Sequence, residues 1–156
     1  MSVEQFRNLI RPVAEAVAGL PVAAELGDEL DCRYPPGGEH FRAIEAACHA
    51  AIAAGWMCAQ GGAGRRFGRV IEPGPQTSNL SVDVVDLTDI AGPHHRHPSG
   101  EICMVMPVTP TARFDGKGAG WKVYPPGSAH RPTVTDGRAL VLYMLPGGQI
   151  EFTPTA

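Results

Sequence analysis

The chain has 156 residues, a length suited to one domain, and a net charge of −3 with 13 Lys+Arg against 16 Asp+Glu. It carries no basic run or stripe and only 6% aromatic residues, so neither nucleic acid nor an anionic membrane surface is an expected partner. No window approaches the ~20 apolar residues of a membrane span, and Glu4 interrupts the start where an export signal needs an apolar run, so a cytoplasmic protein is expected.

In chain order, the first third reads as helical. Ser2 and Gln5 have the spacing of a capping box, and Val3, Phe6, Leu9, Ile10, Val13 and Val17 recur at helical intervals. Pro12 falls inside that pattern and is expected to kink the helix or to open a second short one. After Leu20-Pro21 and the turn residues Tyr34-Pro35-Pro36-Gly37-Gly38, a second helix is predicted from about Gly38 to Ala54. Its apolar face is Phe41, Ile44, Cys48, Ala51 and Ile52, and Gly55 stops it. His40 and His49 read as ordinary residues of that helix.

Beyond Gly55, glycines and prolines punctuate short apolar runs: Arg69 to Glu72, Leu80 to Leu87, Ile102 to Val108, Trp121 to Tyr124, Ala139 to Leu145 and Ile150 to Phe152. This pattern predicts several short strands in a sandwich, barrel or jelly roll. The expected division is a helical segment, 1–55, packed on a β-barrel, 56–156, in one domain overall. Alternation in Leu80-Ser81-Val82-Asp83-Val84 turns polar side chains to one face, and Asp83 and Asp86 are expected to meet solvent. The glycine-rich stretch 60–68 lacks the phosphate-loop pattern and reads as a flexible loop between strands. Cys32, Cys48, Cys58 and Cys103 form no CxxC pair and read as free thiols.

The chemistry concentrates in His94-His95-Arg96-His97-Pro98-Ser99-Gly100-Glu101. Residues i and i+2 of a strand share a face, so His95 and His97 can converge, and Glu101 enters the next strand after a Pro-Ser-Gly turn. Downstream, the turn Pro125-Pro126-Gly127 leads to His130 as a fourth candidate. Two or three neutral imidazoles with one carboxylate suit a borderline divalent ion: Fe, Mn, Zn, Ni or Co.

HxHxxxE followed by PxGxxH resembles the two motifs of the cupin superfamily, a small jelly-roll β-barrel. The resemblance implies His95, His97, Glu101 and His130 as metal ligands. Asp89 stands where cupins usually have glycine, and Val134 where they often have asparagine. The blocks Ala91–Ile102, Ala112–Gly116, Tyr124–His130 and Leu142–Phe152 are similar to a small bacterial family that includes 4-hydroxylaminobenzoate lyases. The implied reaction converts 4-hydroxylaminobenzoate to protocatechuate and ammonia. The expected protein is therefore mainly β, a cupin-type jelly roll preceded by two helices, and a metal-dependent lyase.

That reaction breaks an N–O bond, oxygenates the adjacent ring carbon and releases ammonia, with no external redox partner. A Lewis-acidic ion suits the first step. His94 and Glu101 are candidates to move protons. The substrate carboxylate calls for a cation, ideally arginine. Arg131 adjoins His130 but would point to the opposite face of a regular strand, so Arg113, Arg65 and Arg66 are candidates as well. Tyr143 and Trp121 are candidates for an aromatic wall, with core packing as the alternative for each. The rival readings are an iron-dependent cupin dioxygenase on an aromatic or thiol substrate and a non-catalytic metal- or ligand-binding cupin. The helical segment offers a surface for a homodimer.

Overall fold

The first helix, α1 (Val3–Val17), starts where its sequence says it should: Ser2 Oγ accepts from the Gln5 amide and the Gln5 side chain accepts from the Ser2 amide. In the computed structural model, which describes residues 1–153, α1 is one continuous helix with Pro12 inside it. Pro12 and Asn8 lie on the exposed face, so the carbonyl left without its usual N–H partner meets water. The buried face is Phe6, Ile10, Val13, Ala14 and Val17.

Three helices, not two, precede the strands. The additional one is α2 (Ala24–Arg33), and α3 (Glu39–Ala54) ends on Gly55 at φ +87°. The sequence conceals α2 because it has no side-chain cap, carries Gly27 in its middle and buries only Leu26, Gly27 and Leu30. Tertiary contacts hold it instead. A Cβ on Gly27 would stand 3.3 Å from the Trp121 carbonyl, so glycine lets the helix approach a strand backbone. Asp31 then accepts the Trp121 amide (2.8 Å) and the Lys117 ammonium (2.9 Å).

The strands are β1 (Gln60–Gly62), β2 (Arg65–Ile71), β3 (Leu80–Ala91), β4 (His95–His97), β5 (Glu101–Pro107), β6 (Arg113–Phe114), β7 (Gly120–Tyr124), β8 (Ser128–His130), β9 (Thr133–Pro146) and β10 (Glu151–Phe152). The larger sheet runs β1-β2-β3-β9-β5-β7 with β6 beside β9; the smaller runs β10-β4-β8. All pairings are antiparallel. This is the expected jelly roll, with two sheets that are not hydrogen-bonded into a closed ring. The stretch 60–68, read as a loop, is a β1–β2 hairpin with Gln60 opposite Phe67.

The larger sheet is apolar on both faces, which decides where polar side chains end up. Val82, Val84, Ile102, Met104, Met106, Leu140, Leu142 and Met144 pack against the helices. The opposite face, with Leu87, Cys103, Val105, Ala139 and Val141, lines the interior of the jelly roll. Asp83 therefore does not meet solvent: it is buried and gripped by Arg69, Nε to Oδ1 at 2.9 Å. Burial pushes its carboxyl up and the Arg69 hydrogen bond pulls it back. Asp86, half-buried, is held at two points by Arg138, each 2.8 Å. The cysteines are free, with Cys32 exposed and the other three buried.

Candidate metal centre

The smaller sheet sets the histidines. On β4, His95 and His97 alternate with exposed Arg96 and are 5% and 0% exposed. Antiparallel pairing with β8 places His130 opposite His95. Glu101 is contributed by the larger sheet as the first residue of β5, after the turn at Pro98-Ser99-Gly100. Gly100 has φ +88°, and a Cβ there would lie 2.6 Å from Val22 and 2.8 Å from the Tyr124 carbonyl, so no other residue fits the turn. The His97 carbonyl ties this turn to the next, accepting the amides of Gly100 (3.2 Å) and Gly127 (2.8 Å).

Four side chains thus meet between the sheets. His130 Nε2 lies 3.0 Å from both His95 Nε2 and His97 Nε2. Glu101 Oε2 is 3.3 Å from His97 Nε2, and Oε1 is 3.5 Å from His130 Nε2. One ligand atom from each lies within 4.8 Å of all the others. Two donors about 2.1 Å from one ion at a right angle stand about 3.0 Å apart, so the nitrogen spacing fits a shared divalent cation. Protons alone serve the arrangement badly. The buried Nδ1 atoms of His95 and His97 have no hydrogen-bond partner, and their Nε2 atoms both face the one at His130. Three imidazoles and a carboxylate accept a first-row ion such as Fe, Mn, Zn, Ni or Co.

Electrostatics support the same use. Burial, with the neighbouring imidazoles, lowers His95 and His97 to about 4, so both are neutral and have a lone pair to give. Burial also pushes His130 down, but its hydrogen bonds to the Asp115 and Glu101 carboxylates outweigh it and raise it to about 9. Asp115 Oδ2 lies 2.7 Å from His130 Nδ1. A carboxylate only accepts, so the proton sits on Nδ1 and, in the neutral ring, Nε2 is left to the ion. Tyr124 donates its hydroxyl to the same Asp115 oxygen, and the Thr133 amide donates to Oδ1 at 2.9 Å. Desolvation raises the Asp115 carboxyl, but these bonds bring it below its usual value. Under the cluster, Cys103 donates its thiol to Glu101 Oε1 at 3.0 Å.

Asp115 and Tyr124 are absent from the sequence-based site. The available signals were the turn dipeptide Asp115-Gly116 and the habit of metal-bound histidines to seek a carboxylate on their other nitrogen.

Beside His95 and Glu101 opens a cleft with about 550 Å³ of empty space, part of it at the open mouth. Val85, Leu87, Phe114 and Val141 give it apolar walls, and Phe152 stands at its edge, ring centroid 5.6 Å from His95. Of the expected substrate contacts, Arg65 and Tyr143 line this cleft. Trp121 does not: it is in the core against the helices, edge-on to Phe41 and donating Nε1–H to the Tyr34 carbonyl at 2.9 Å. Arg113 is exposed, beside Thr111 and Asp136. Arg131 is also exposed and directs Nη1 to the Gly92 carbonyl at 3.3 Å. Arg66 faces away from the cleft, opposite Asp86. His94, proposed to move protons, is bonded to Thr153 and is not among the lining residues.

Replacing Asp115 by Asn removes the charge behind His130 and should weaken metal binding by about 10–100-fold, read by competition with a chelator. The metal-free protein should have a stability maximum near neutrality. His130, raised to about 9, stabilises fully below its unfolded value of ~6.5, and that contribution is lost as pH climbs through 9. His95 and His97, lowered to about 4, act oppositely: stability falls as pH drops below ~6.5. Denaturant midpoints across pH 4–10 in the presence of chelator check this, and a monotonic profile would contradict it.

The sequence model of a family described as "PnbB: 4-hydroxylaminobenzoate lyase" matches residues 8–152. A "4-hydroxylaminobenzoate lyase" of Nocardioides sp. (strain LMS-CY) is 30% identical over 138 residues, 81% of this chain and 82% of that one. One of Pseudomonas putida is 30% identical over 140 residues, 79% and 80% of the two chains. Among solved structures, one described as "Crystal structures of DMSP lyases RdDddP and RnDddQII" superposes with a TM-score of 0.53 at 15% identity. It covers 98% of this chain and 100% of that one, which supports the shared fold alone. A family-model match along nearly the whole length and two relatives at 30% identity, set beside the two sheets and the histidine–glutamate cluster they enclose, lead to one conclusion: the chain belongs to the 4-hydroxylaminobenzoate lyase family.

Proposed function

We propose that this protein is a metal-dependent lyase that converts 4-hydroxylaminobenzoate to protocatechuate and ammonia. The observation that carries the reading is the buried cluster of His95, His97, Glu101 and His130 opening onto an apolar cleft, in a chain of this family. The reaction balances with one water: the N–O bond breaks, one oxygen appears on the neighbouring ring carbon, and hydrolysis of the C–N bond puts a second oxygen in place of the nitrogen, which leaves as ammonia. The nitrogen is reduced as the ring carbon is oxidised, so no outside oxidant enters.

His95, His97, Glu101 and His130 would hold a divalent ion, of which Fe, Mn, Zn, Ni and Co all suit the donors. When bound, such an ion supplies Lewis acidity toward the departing hydroxyl oxygen. The chain's own residues do the rest. Apolar walls exclude bulk water, which strengthens every charge–dipole contact inside. Asp115 keeps the proton of His130 on the nitrogen remote from the cluster. Glu101, steadied by the Cys103 thiol, is the ionisable carboxylate at the cleft and the candidate to carry a proton between ring and leaving group. A cytoplasmic homodimer paired through the helical layer is a further part of the proposal.

An anaerobic assay of metal-loaded protein with 4-hydroxylaminobenzoate tests the proposal. Ammonia and the catechol product should form in equal amounts without oxygen, and His97→Ala or His130→Ala should lower kcat/KM at least about 100-fold. Product formation that requires oxygen would point to a dioxygenase. Substrate binding without turnover would point to a non-catalytic cupin.

A further inference from the structure

We propose that Arg65, braced on Phe67, binds the substrate carboxylate and selects aromatic acids whose nitrogen lies across the ring from that carboxylate. This rests on the cleft being the substrate site. Among the described residues that line the cleft, Arg65 is the one Lys or Arg side chain. Its direction follows from strand register. On β2, Arg65 pairs with Leu87 and Phe67 with Val85, and all four line the cleft, while Arg66 between them pairs with Asp86 on the other face.

The guanidinium carbon lies 4.3 Å from the Phe67 ring centroid, so the side chain leans along its strand, back over the residue two positions on. That contact steadies the guanidinium over the ring without using its N–H groups, which remain available to a carboxylate. No carboxylate of the described residues forms an ion pair with Arg65. Neighbouring arginines are committed: Arg69 to Asp83, Arg138 to Asp86 and Arg96 to Glu151. A half-buried cation lining an apolar cleft, with no ion pair among the described residues, is complementary to an anionic group attached to a flat ring.

Position along the sheet gives the selectivity. The row through Arg65 continues across Leu87 and Ala139 to Pro107, and Glu101 lies six residues before Pro107 on β5. Arg65 and Glu101 both line the cleft and are offset along the strands, so in this proposal the cation and the metal ligands form its two ends; Val85, Val141 and Phe114 line the same cleft. A ring with its two substituents opposed reaches both ends; one with adjacent substituents reaches only one.

Calorimetric binding of three probes to metal-loaded protein tests this: 4-aminobenzoate, 2-aminobenzoate and the uncharged 4-aminobenzamide. Wild type should prefer 4-aminobenzoate over each of the others by at least about 10-fold. Arg65→Gln should weaken 4-aminobenzoate by about 10–100-fold, leave 4-aminobenzamide within about twofold and abolish both preferences. Unchanged amide binding shows that the hairpin is still folded. Arg65→Lys should keep the charge preference but relax the discrimination between ring positions, and Arg113→Gln should match wild type. If Arg65→Gln retains the acid preference, or wild type has none, the assignment is wrong. Because the readout is binding, it stands apart from catalysis. Loss of preference in Arg65→Gln without any turnover of 4-hydroxylaminobenzoate would keep the anchor and overturn the lyase reading.

Discussion

Three imidazoles and a carboxylate brought to one buried point repel or desolvate one another unless a cation joins them, and the fold is arranged around that requirement. Their lone pairs face a common focus at nitrogen separations of 3.0 Å. Neither sheet builds the focus alone. The smaller supplies the histidines and the larger supplies Glu101, so the distance between sheets is also the distance between ligands. A divalent ion there would bind the folded chain and not the unfolded one, joining the two sheets across the interior.

The layers outside follow from that placement. With a polar cluster and an open cleft inside the jelly roll, the inner face buries less apolar surface than a closed sandwich would. The outer face of the larger sheet compensates by sharing a core with three helices, in which Phe6 and Ile10 of α1, Leu30 of α2, and Phe41 and Ile44 of α3 join Met104, Met106, Leu140 and Leu142. Central strands are consequently apolar on both faces. The acidic residues of β3 that sit there, Asp83 above all and Asp86, are paired with arginine.

The parts of this arrangement that depend on local spacing were legible in the sequence. His95 and His97 share a face through strand alternation, and Gly100 and Gly127 mark the turns that return Glu101 and His130 to them. Helices α1 and α3 announce themselves by a capping box and a terminal glycine. What the sequence hid depends on contacts between distant segments. Helix α2 exists because Gly27 and Asp31 dock it on β7, which no periodicity reports. Trp121 faces the helices and Tyr143 the cleft because adjacent residues of a strand point to opposite sides, and the choice of side is set by the helical layer. Asp115 reaches His130 from a turn 15 residues away, a relation only the folded chain reveals.

The family match and the geometry answer separate questions. Relatives named for a lyase cover about four-fifths of this chain and of themselves, which assigns the family. The cluster and the cleft, which Arg65 lines, bear on how a member would hold an ion and an aromatic acid. The central claim concerns the ion, and it is tested most directly by X-ray absorption at the cobalt edge on protein loaded with one equivalent of Co²⁺. The structure predicts a shell of nitrogen and oxygen at about 2.0–2.2 Å with clear imidazole scattering, lost in a His97→Ala, His130→Ala double variant. Sulfur in the shell, or a spectrum unchanged by that variant, would contradict it.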